Sequence, residues 1–206
     1  RTSHPEGDVF KHTLLCLDNL ERRTPVACWA MLLHDVGKPV TFERKSNGKI
    51  SFYQHEHVGA EMTRDICRRL RFSNEATEKI CAIVRRHMKL INVREWKKST
   101  TRKFLGAETI EDDLAIHKAD SLSSAGDLSN YHYILEKRDE LEETEGATLP
   151  PPLISGNDLI AEGYKPGPRF AEILDNVRDL QLEGDLRDRE SALAYVRSAF
   201  PLEKTI

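Results

Sequence analysis

From Val26 to Leu33 the chain reads Val-Ala-Cys-Trp-Ala-Met-Leu-Leu, and it then meets His34-Asp35-Val36-Gly37-Lys38-Pro39. Thr24-Pro25 marks the start of a helix there, because proline is favoured at the first helical position. A helix apolar on every side is expected to be buried on every side. Two ionisable side chains at its end are therefore drawn into the interior, where they are costly unless paired or metal-bound. Glycine and proline stop the helix at this point. At a helix end both side chains can turn toward one point, which neighbours about 100° apart in mid-helix do poorly.

Helical periodicity governs most of the remaining chain. Asp8 is placed as the N-cap of a first helix, with Val9, Thr13, Leu14, Leu17 and Leu20 on one face. The stretch from Val40 to Tyr53 breaks the pattern: Thr41-Phe42 and Ile50-Ser51-Phe52-Tyr53 flank Ser46-Asn47-Gly48, which predicts a short β-hairpin. Helices are expected again from Val58 to Arg71 and from Glu75 to Leu90. Ser99 and Thr109 are the next N-cap candidates, and Thr109-Ile110-Glu111-Asp112 has the form of a capping box. That helix carries Leu114, His117 and Asp120, and another follows from Leu128 to Glu145. Three prolines end the segment 146–152, which reads as a linker. The expected architecture is all-α with one small β excursion. Its main domain is 1–145, the linker 146–152, and a short helical C-terminal segment 153–206.

Composition narrows the class of protein. At 39% hydrophobic and 32% charged residues, the chain of 206 suits a folded globular protein rather than a disordered one. The net charge of -3 gives no whole-chain attraction for nucleic acid, so any RNA contact needs a local basic patch. No apolar run approaches the roughly 20 residues that span a bilayer, and the polar Arg1-Thr2-Ser3-His4-Pro5 is no signal peptide. Cys16, Cys28, Cys67 and Cys81 form no CxxC pair and read as buried free thiols of a reducing cytoplasm. The start at Arg1 rather than Met suggests a piece of a longer protein.

The ionisable residues follow an order: His12, then His34-Asp35, then His55, His87 and Asp120, each on a different expected helix or its end. Nitrogen and oxygen donors from several helices can converge inside a bundle. A set of this kind without thiolate suits Mn, Fe, Co, Ni or Zn in an open site better than a structural zinc.

Leu32-Leu33-His34-Asp35-Val36-Gly37-Lys38-Pro39 resembles the signature of the HD superfamily of metal-dependent phosphohydrolases. The resemblance implies a helical bundle and a divalent metal, either a transition ion or Mg. It implies ligands at His12, His34, Asp35 and Asp120, the last within Lys118-Ala119-Asp120-Ser121. His55 and His87 match the extra histidines of two-metal members, so one ion is expected and two are left open, with Asp35 as the bridge. His55 is preferred to His57 because it lies four residues before Gly59. Asp35 and Lys38 are the catalytic candidates, with Lys38 expected to face the site and neutralise phosphate charge. His57, His117 and His132 are taken as structural or exposed, and His4 as a substrate-contact candidate.

Three further stretches narrow the resemblance. His4-Pro5-Glu6-Gly7-Asp8-Val9-Phe10-Lys11-His12, Phe52-Tyr53-Gln54-His55-Glu56-His57-Val58-Gly59-Ala60, and Pro151 to Ile160 followed by Gly163-Tyr164-Lys165-Pro166-Gly167-Pro168 are similar to segments of bacterial CCA-adding and poly(A)-polymerase-like tRNA nucleotidyltransferases. This implies tRNA or a phosphoester as partner. Lys165 and Arg169, at the start of a helix, are the expected RNA-backbone contacts, aided by Arg85, Arg86 and Lys89. The head domain of that family, with a Gly-Ser doublet and paired aspartates, does not precede Arg1. Nucleotide addition is thus expected only if such a head lies upstream. Two functions stay open: a phosphohydrolase of tRNA 3′-end processing, or a tRNA-binding body with a structural HD site.

Overall fold

The computed structural model describes residues 8–145 and 149–202, with the side chain of Glu145 left aside. Asp8 stands in extended conformation before helix α1 (Val9–Asn19), its carboxylate accepting the Phe10 N–H at 2.8 Å. Thr24 caps α2 (Pro25–Leu33) in the same way, accepting from the Ala27 N–H at 3.0 Å. These side-chain oxygens satisfy N–H groups that have no partner in the first helical turn.

A two-stranded antiparallel ribbon follows, β1 (Glu43–Arg44) with β2 (Ile50–Ser51), pairing Glu43 with Ser51 and Arg44 with Ile50. The hairpin lies where the sequence puts it, but its first strand is two residues later than Thr41-Phe42, which belong to the turn after α2. Next come α3 (His55–Arg69) and α4 (Asn74–Arg86), the latter capped by Ser73. Short 3-10 turns cover Lys89–Glu95 on either side of a kink at Asn92. Helices α5 (Lys98–Leu105), α6 (Ile110–Ser123) and α7 (Ser129–Glu145) complete the middle of the chain. The C-terminal part holds α8 (Gly156–Ala161), α9 (Pro168–Glu183) and α10 (Arg189–Ala199). Among the described residues the fold is all-α with one small hairpin.

The chain forms two compact units. The first takes the residues up to Arg94 together with Glu108–Glu136; the second takes Glu95–Ala107 and the residues from Lys137 onward. This division does not coincide with a boundary at 145–152, because α5 packs on α9, far along the sequence. In the second unit the Ser99 N–H donates to Glu183 Oε1 at 2.9 Å, so Ser99 serves that contact and not a helix cap.

In the first unit α2 lies against α1, α4 and α6. Its core includes Cys16, Leu20, Ala27, Ala30, Met31, Ile80, Val84, Ile116 and Ala119. Leu32 is 40% exposed, so α2 is not enclosed on all sides: its three neighbours leave one flank to solvent. On α1 the inward face is His12, Thr13 and Cys16, while Leu14 is 45% exposed. Thr13 and Leu20 of the expected face are buried and Leu17 packs on the core, but Leu14 falls outside it, because the stripe extends to His12 and Cys16 at the polar cluster.

The second unit has its own core, with Leu159, Tyr164, Ile173, Val177, Ala192 and Val196 buried. Tyr164 keeps its hydroxyl satisfied by donating to Phe200 O at 2.8 Å.

Candidate metal centre

The polar cluster gathers at the end of α2. His34 is the C-cap of that helix and Asp35 opens the following turn; both are buried. His12 comes from α1, His55 from the first turn of α3, His87 from the C-cap of α4 and Asp120 from α6. The structure brings all six together. Helix α3 begins three residues before the expected Val58, and that earlier start puts His55 on the helix. Gln54, in the left-handed region at φ 59°, makes the turn into it.

Gly37 allows the approach. A Cβ on Gly37 would stand 2.2 Å from the His55 carbonyl oxygen and 2.7 Å from the Gly59 amide nitrogen. The turn after α2 therefore lies directly on the backbone of α3, a proximity only glycine permits at that place.

Asp35 is at the centre. Its Oδ2 lies 3.3 Å from His34 Nε2, 4.0 Å from His12 Nε2 and 2.6 Å from Lys38 Nζ. Its Oδ1 lies 3.4 Å from His55 Nε2 and 3.8 Å from His87 Nε2. Across the cluster His55 Nε2 and His87 Nε2 are 3.2 Å apart, and His12 Nε2 is 3.0 Å from Asp120 Oδ1. Two donor groups result: His12, Cys16, His34 and Asp120 in one, and Asp35, His55 and His87 in the other.

The histidine rings are held by the chain itself. His34 Nδ1 lies 2.7 Å from Met31 O, His55 Nδ1 2.9 Å from Phe52 O, and His87 Nδ1 2.7 Å from Val84 O. A carbonyl oxygen only accepts, so each Nδ1 carries the proton and donates. In the neutral ring Nε2 then presents its lone pair toward the cluster, the orientation that metal-ligating histidines are given by such outer bonds. His34 Nε2 is buried and, although 3.3 Å from Asp35 Oδ2, has no well-aligned hydrogen-bond partner. Burial opposes charge on this ring, but the Asp35 carboxylate beside it raises its pKa, so in the absence of an ion a proton takes the place on Nε2 where a divalent cation would bind. The residues fit such an ion.

Charge balance supports this. Burial pushes the Asp35 carboxyl up, but His34 and His55 beside it, with Lys38, outweigh burial and hold it well below the usual carboxylate range. Burial likewise opposes ionisation of Asp120, yet its bond to His12 brings it down to about 2. His87 is pushed down to about 3 by burial and by the neighbouring His34, so it is neutral and ready to donate its lone pair.

Lys38 is buried, its ammonium on Asp35 and 5.7 Å from the Phe52 ring centre. His57 is half exposed beside Glu56, His132 is exposed, and His117 is buried on α6 with Nε2 unbonded. His4 lies outside the described residues. Lys165 and Arg169 are exposed in the second unit, four residues apart at the start of α9, with Arg169 Nη2 donating to Pro201 O at 3.3 Å. Arg86 is taken up by a two-pronged bond to Asp113 (3.1 and 2.8 Å) and by Thr109, and Arg85 by Glu61. Those pairings turn Arg86 inward, and Thr109 donates to Asp113 rather than forming a capping box.

Cys16 is the member of the cluster that the sequence reading passed over. Its buried Sγ lies 3.4 Å from His12 Nε2. The four-residue step from His12 on one helix face was the available signal.

The HD domain family matches residues 9–125. The chain is 35% identical over 203 residues to the A-adding tRNA nucleotidyltransferase of Deinococcus radiodurans, covering 92% of this chain and 46% of that protein. It is 34% identical over 197 residues to the CC-adding tRNA nucleotidyltransferase of Thermus thermophilus, covering 91% and 44%. It is 37% identical over 105 residues to the multifunctional CCA protein of Alkalilimnicola ehrlichii, covering 50% and 24%. The chain thus spans less than half the length of these relatives. With more than half of its residues matched and the His-Asp doublet at the centre of the buried cluster, the chain belongs to the HD domain family.

Proposed function

We propose that this chain is the metal-dependent phosphohydrolase region of a tRNA 3′-end-processing protein, acting on a phosphomonoester or a 2′,3′-cyclic phosphate at an RNA end. The observation that carries the reading is the division of Asp35, whose two oxygens face two separate histidine groups. A carboxylate so placed can bridge two sites. His12, His34 and Asp120 would hold one ion with Asp35 Oδ2, and His55 and His87 a second with Oδ1. The donors are imidazole and carboxylate, suited to Mn, Fe, Co, Ni or Zn, with Mg the hard alternative. When bound, a divalent ion supplies a Lewis acid for the phosphoryl group and a lowered pKa for water.

The protein's own groups do the rest. The Nδ1 bonds keep the histidines in one tautomer, and Asp35 stays ionised at all physiological pH values. Lys38 is placed beside Asp35, where its ammonium offsets phosphate charge and orients the substrate. Lys165 and Arg169 are the proposed contacts to the tRNA backbone.

A second reading has support in the names of the relatives, which are nucleotidyltransferases and name no hydrolysis. In that reading the cluster stabilises a tRNA-binding body. Metal analysis of the purified chain, with assays on 2′,3′-cyclic AMP and a phosphomonoester, separates the two. Turnover that is lost on chelation and restored by added metal supports the first; a fully loaded protein without turnover supports the second.

A further inference from the structure

The donor group on the α1 side includes a sulfur. His12, Cys16, His34 and Asp120 each offer one donor atom, all within 4.8 Å of one another. Cys16 Sγ is fully buried, 3.4 Å from His12 Nε2, and His12 Nε2 is 3.0 Å from Asp120 Oδ1. Around one tetrahedral ion, bond lengths of about 2.3 Å to sulfur and about 2.0–2.1 Å to nitrogen or oxygen place neighbouring donors roughly 3.3–3.6 Å apart. The His12–Cys16 separation falls in that range and the His12–Asp120 one is a little short of it. Sγ also lies 3.9 Å from His12 Nδ1, beside the ring, so ligation requires the sulfur to swing toward the Nε2 side. A second feature points to the same centre: His34 Nε2, buried and with no well-aligned hydrogen-bond partner, belongs to this group.

The other group lacks sulfur. Asp35 Oδ1, His55 Nε2 and His87 Nε2 are separated by 3.2 to 3.8 Å and offer only nitrogen and oxygen. The two halves of the cluster are therefore chemically unequal. One is a mixed set with a soft donor, and the other has none.

We propose that Cys16 is a thiolate ligand of the ion on the His12 side, and that it commits this half of the centre to a borderline-soft cation such as zinc or cobalt(II). The inference rests on the metal-centre reading above. On coordination the Cys16 S–H bond breaks heterolytically; sulfur keeps the electron pair that it donates to the ion, and the proton passes to the buffer. No oxidant or reductant is involved. A soft donor strengthens the hold on zinc and cobalt and contributes little toward magnesium or manganese, which prefer oxygen.

Cobalt(II) titration of the chelator-treated chain tests this, because a thiolate ligand produces an intense near-ultraviolet sulfur-to-cobalt charge-transfer band. Nitrogen and oxygen ligands alone give only the weak visible d–d bands. The expected result is both sets of bands in the wild type, with the ultraviolet band lost in Cys16→Ser and Cys16→Ala while the d–d bands remain. Cys28→Ala, away from the cluster, is expected to keep the ultraviolet band. The zinc Kd of both Cys16 variants is expected to rise by at least roughly 10- to 100-fold, the loss that even an outer partner of a ligand brings about, with manganese binding little changed. Visible cobalt bands without the sulfur band in the wild type would overturn the proposal and leave the metal centre standing. Persistence of the band in both Cys16 variants would do the same. No cobalt uptake at all would overturn the metal centre together with it.

Discussion

The carbonyl oxygen of His55 lies 2.2 Å from the position a Cβ on Gly37 would occupy. Backbone cannot rotate away as a side-chain end can, so Gly37→Ala must push α3 off the turn that carries Asp35. Overpacking of this kind costs about 1–3 kcal/mol, and thermal melting is expected to register it as a clear fall in Tm. The same variant should bind divalent metal more weakly, since His55 moves with α3. Gly167→Ala is the control: its added Cβ meets nothing within 4 Å, and its backbone is extended. Equal Tm values for Gly37→Ala and wild type would show the contact to be slack.

Metal stoichiometry should split along the two oxygens of Asp35. Asp35→Asn keeps the shape of the side chain but removes the charge that both donor groups share, and it is expected to lose all bound metal. His55→Ala and His87→Ala are expected to lose one ion and retain the other, because His12, His34 and Asp120 are untouched. Elemental analysis of dialysed proteins reads this directly. Wild-type metal counts in both histidine variants would leave a single ion on the α1 side.

The chelator-treated protein should become less stable as pH rises through the neutral and mildly alkaline range. Burial lowers the His12 pKa, but its bonds to Asp120 and Cys16 outweigh burial and raise it to about 10, from 6.5 in the unfolded chain. A group raised in the folded state stabilises fully below the unfolded value and loses that contribution as pH climbs to the folded one. The window is thus about pH 6.5 to about 10. Zinc affinity should rise over the same interval, because the ion competes with that proton. His12→Gln is expected to flatten the melting profile; a wild type whose Tm is constant across the window would remove the basis for this.

In the second unit Asp158 joins two helices. Its Oδ2 accepts from the Ser155 N–H and hydroxyl at the start of α8, and its Oδ1 accepts from Arg189 at the start of α10. These bonds, the Ser155 N–H first, bring its pKa down to about 2 from 3.8. Its contribution is present above the unfolded value and is lost as pH falls from about 3.8 to about 2. Asp158→Asn should speed amide hydrogen exchange in α8 and α10 near neutral pH. As the pH is lowered through that window, the wild type should approach the variant.

The tail offers a test on RNA. With Lys165 and Arg169 on one phosphate each, the slope of log K for tRNA against log salt should flatten by about 1.4–1.8 in the double variant Lys165→Ala/Arg169→Ala, at about 0.7–0.9 per phosphate. Filter binding at several salt concentrations measures it. An unchanged slope would return both residues to the role of solvated surface.

The clearest parts of the site in the sequence were those with a local cause. His34 and Asp35 stood out because an apolar helix ends on them, the cap Asp8 because its carboxylate precedes a periodic run, and the start of α2 because of Pro25, with the Thr24 cap seen only in the structure. His55 was visible as a residue, but the start of its helix was not: Gln54 enters α3 through a left-handed turn that leaves no mark in the hydrophobic pattern. Cys16 was read as a plain buried thiol because its role depends on which way the α1 face is turned, and a polar interior decided that. The assignment of 95–107 to the second unit depends on the packing of α5 on α9, a long-range contact that no local pattern encodes.

His12 and Asp120 meet although they are 108 positions apart in sequence. Synthesis at about 5–20 residues per second separates their emergence by roughly 5–20 seconds. During that time a nascent chain can present its imidazoles but not the carboxylate that closes the group. An ion captured early would be held by fewer donors and would exchange readily. Durable retention of an ion on that side therefore requires that translation has passed Asp120. Truncated products, ending anywhere before α6, would be distinguishable from finished ones by their failure to keep it.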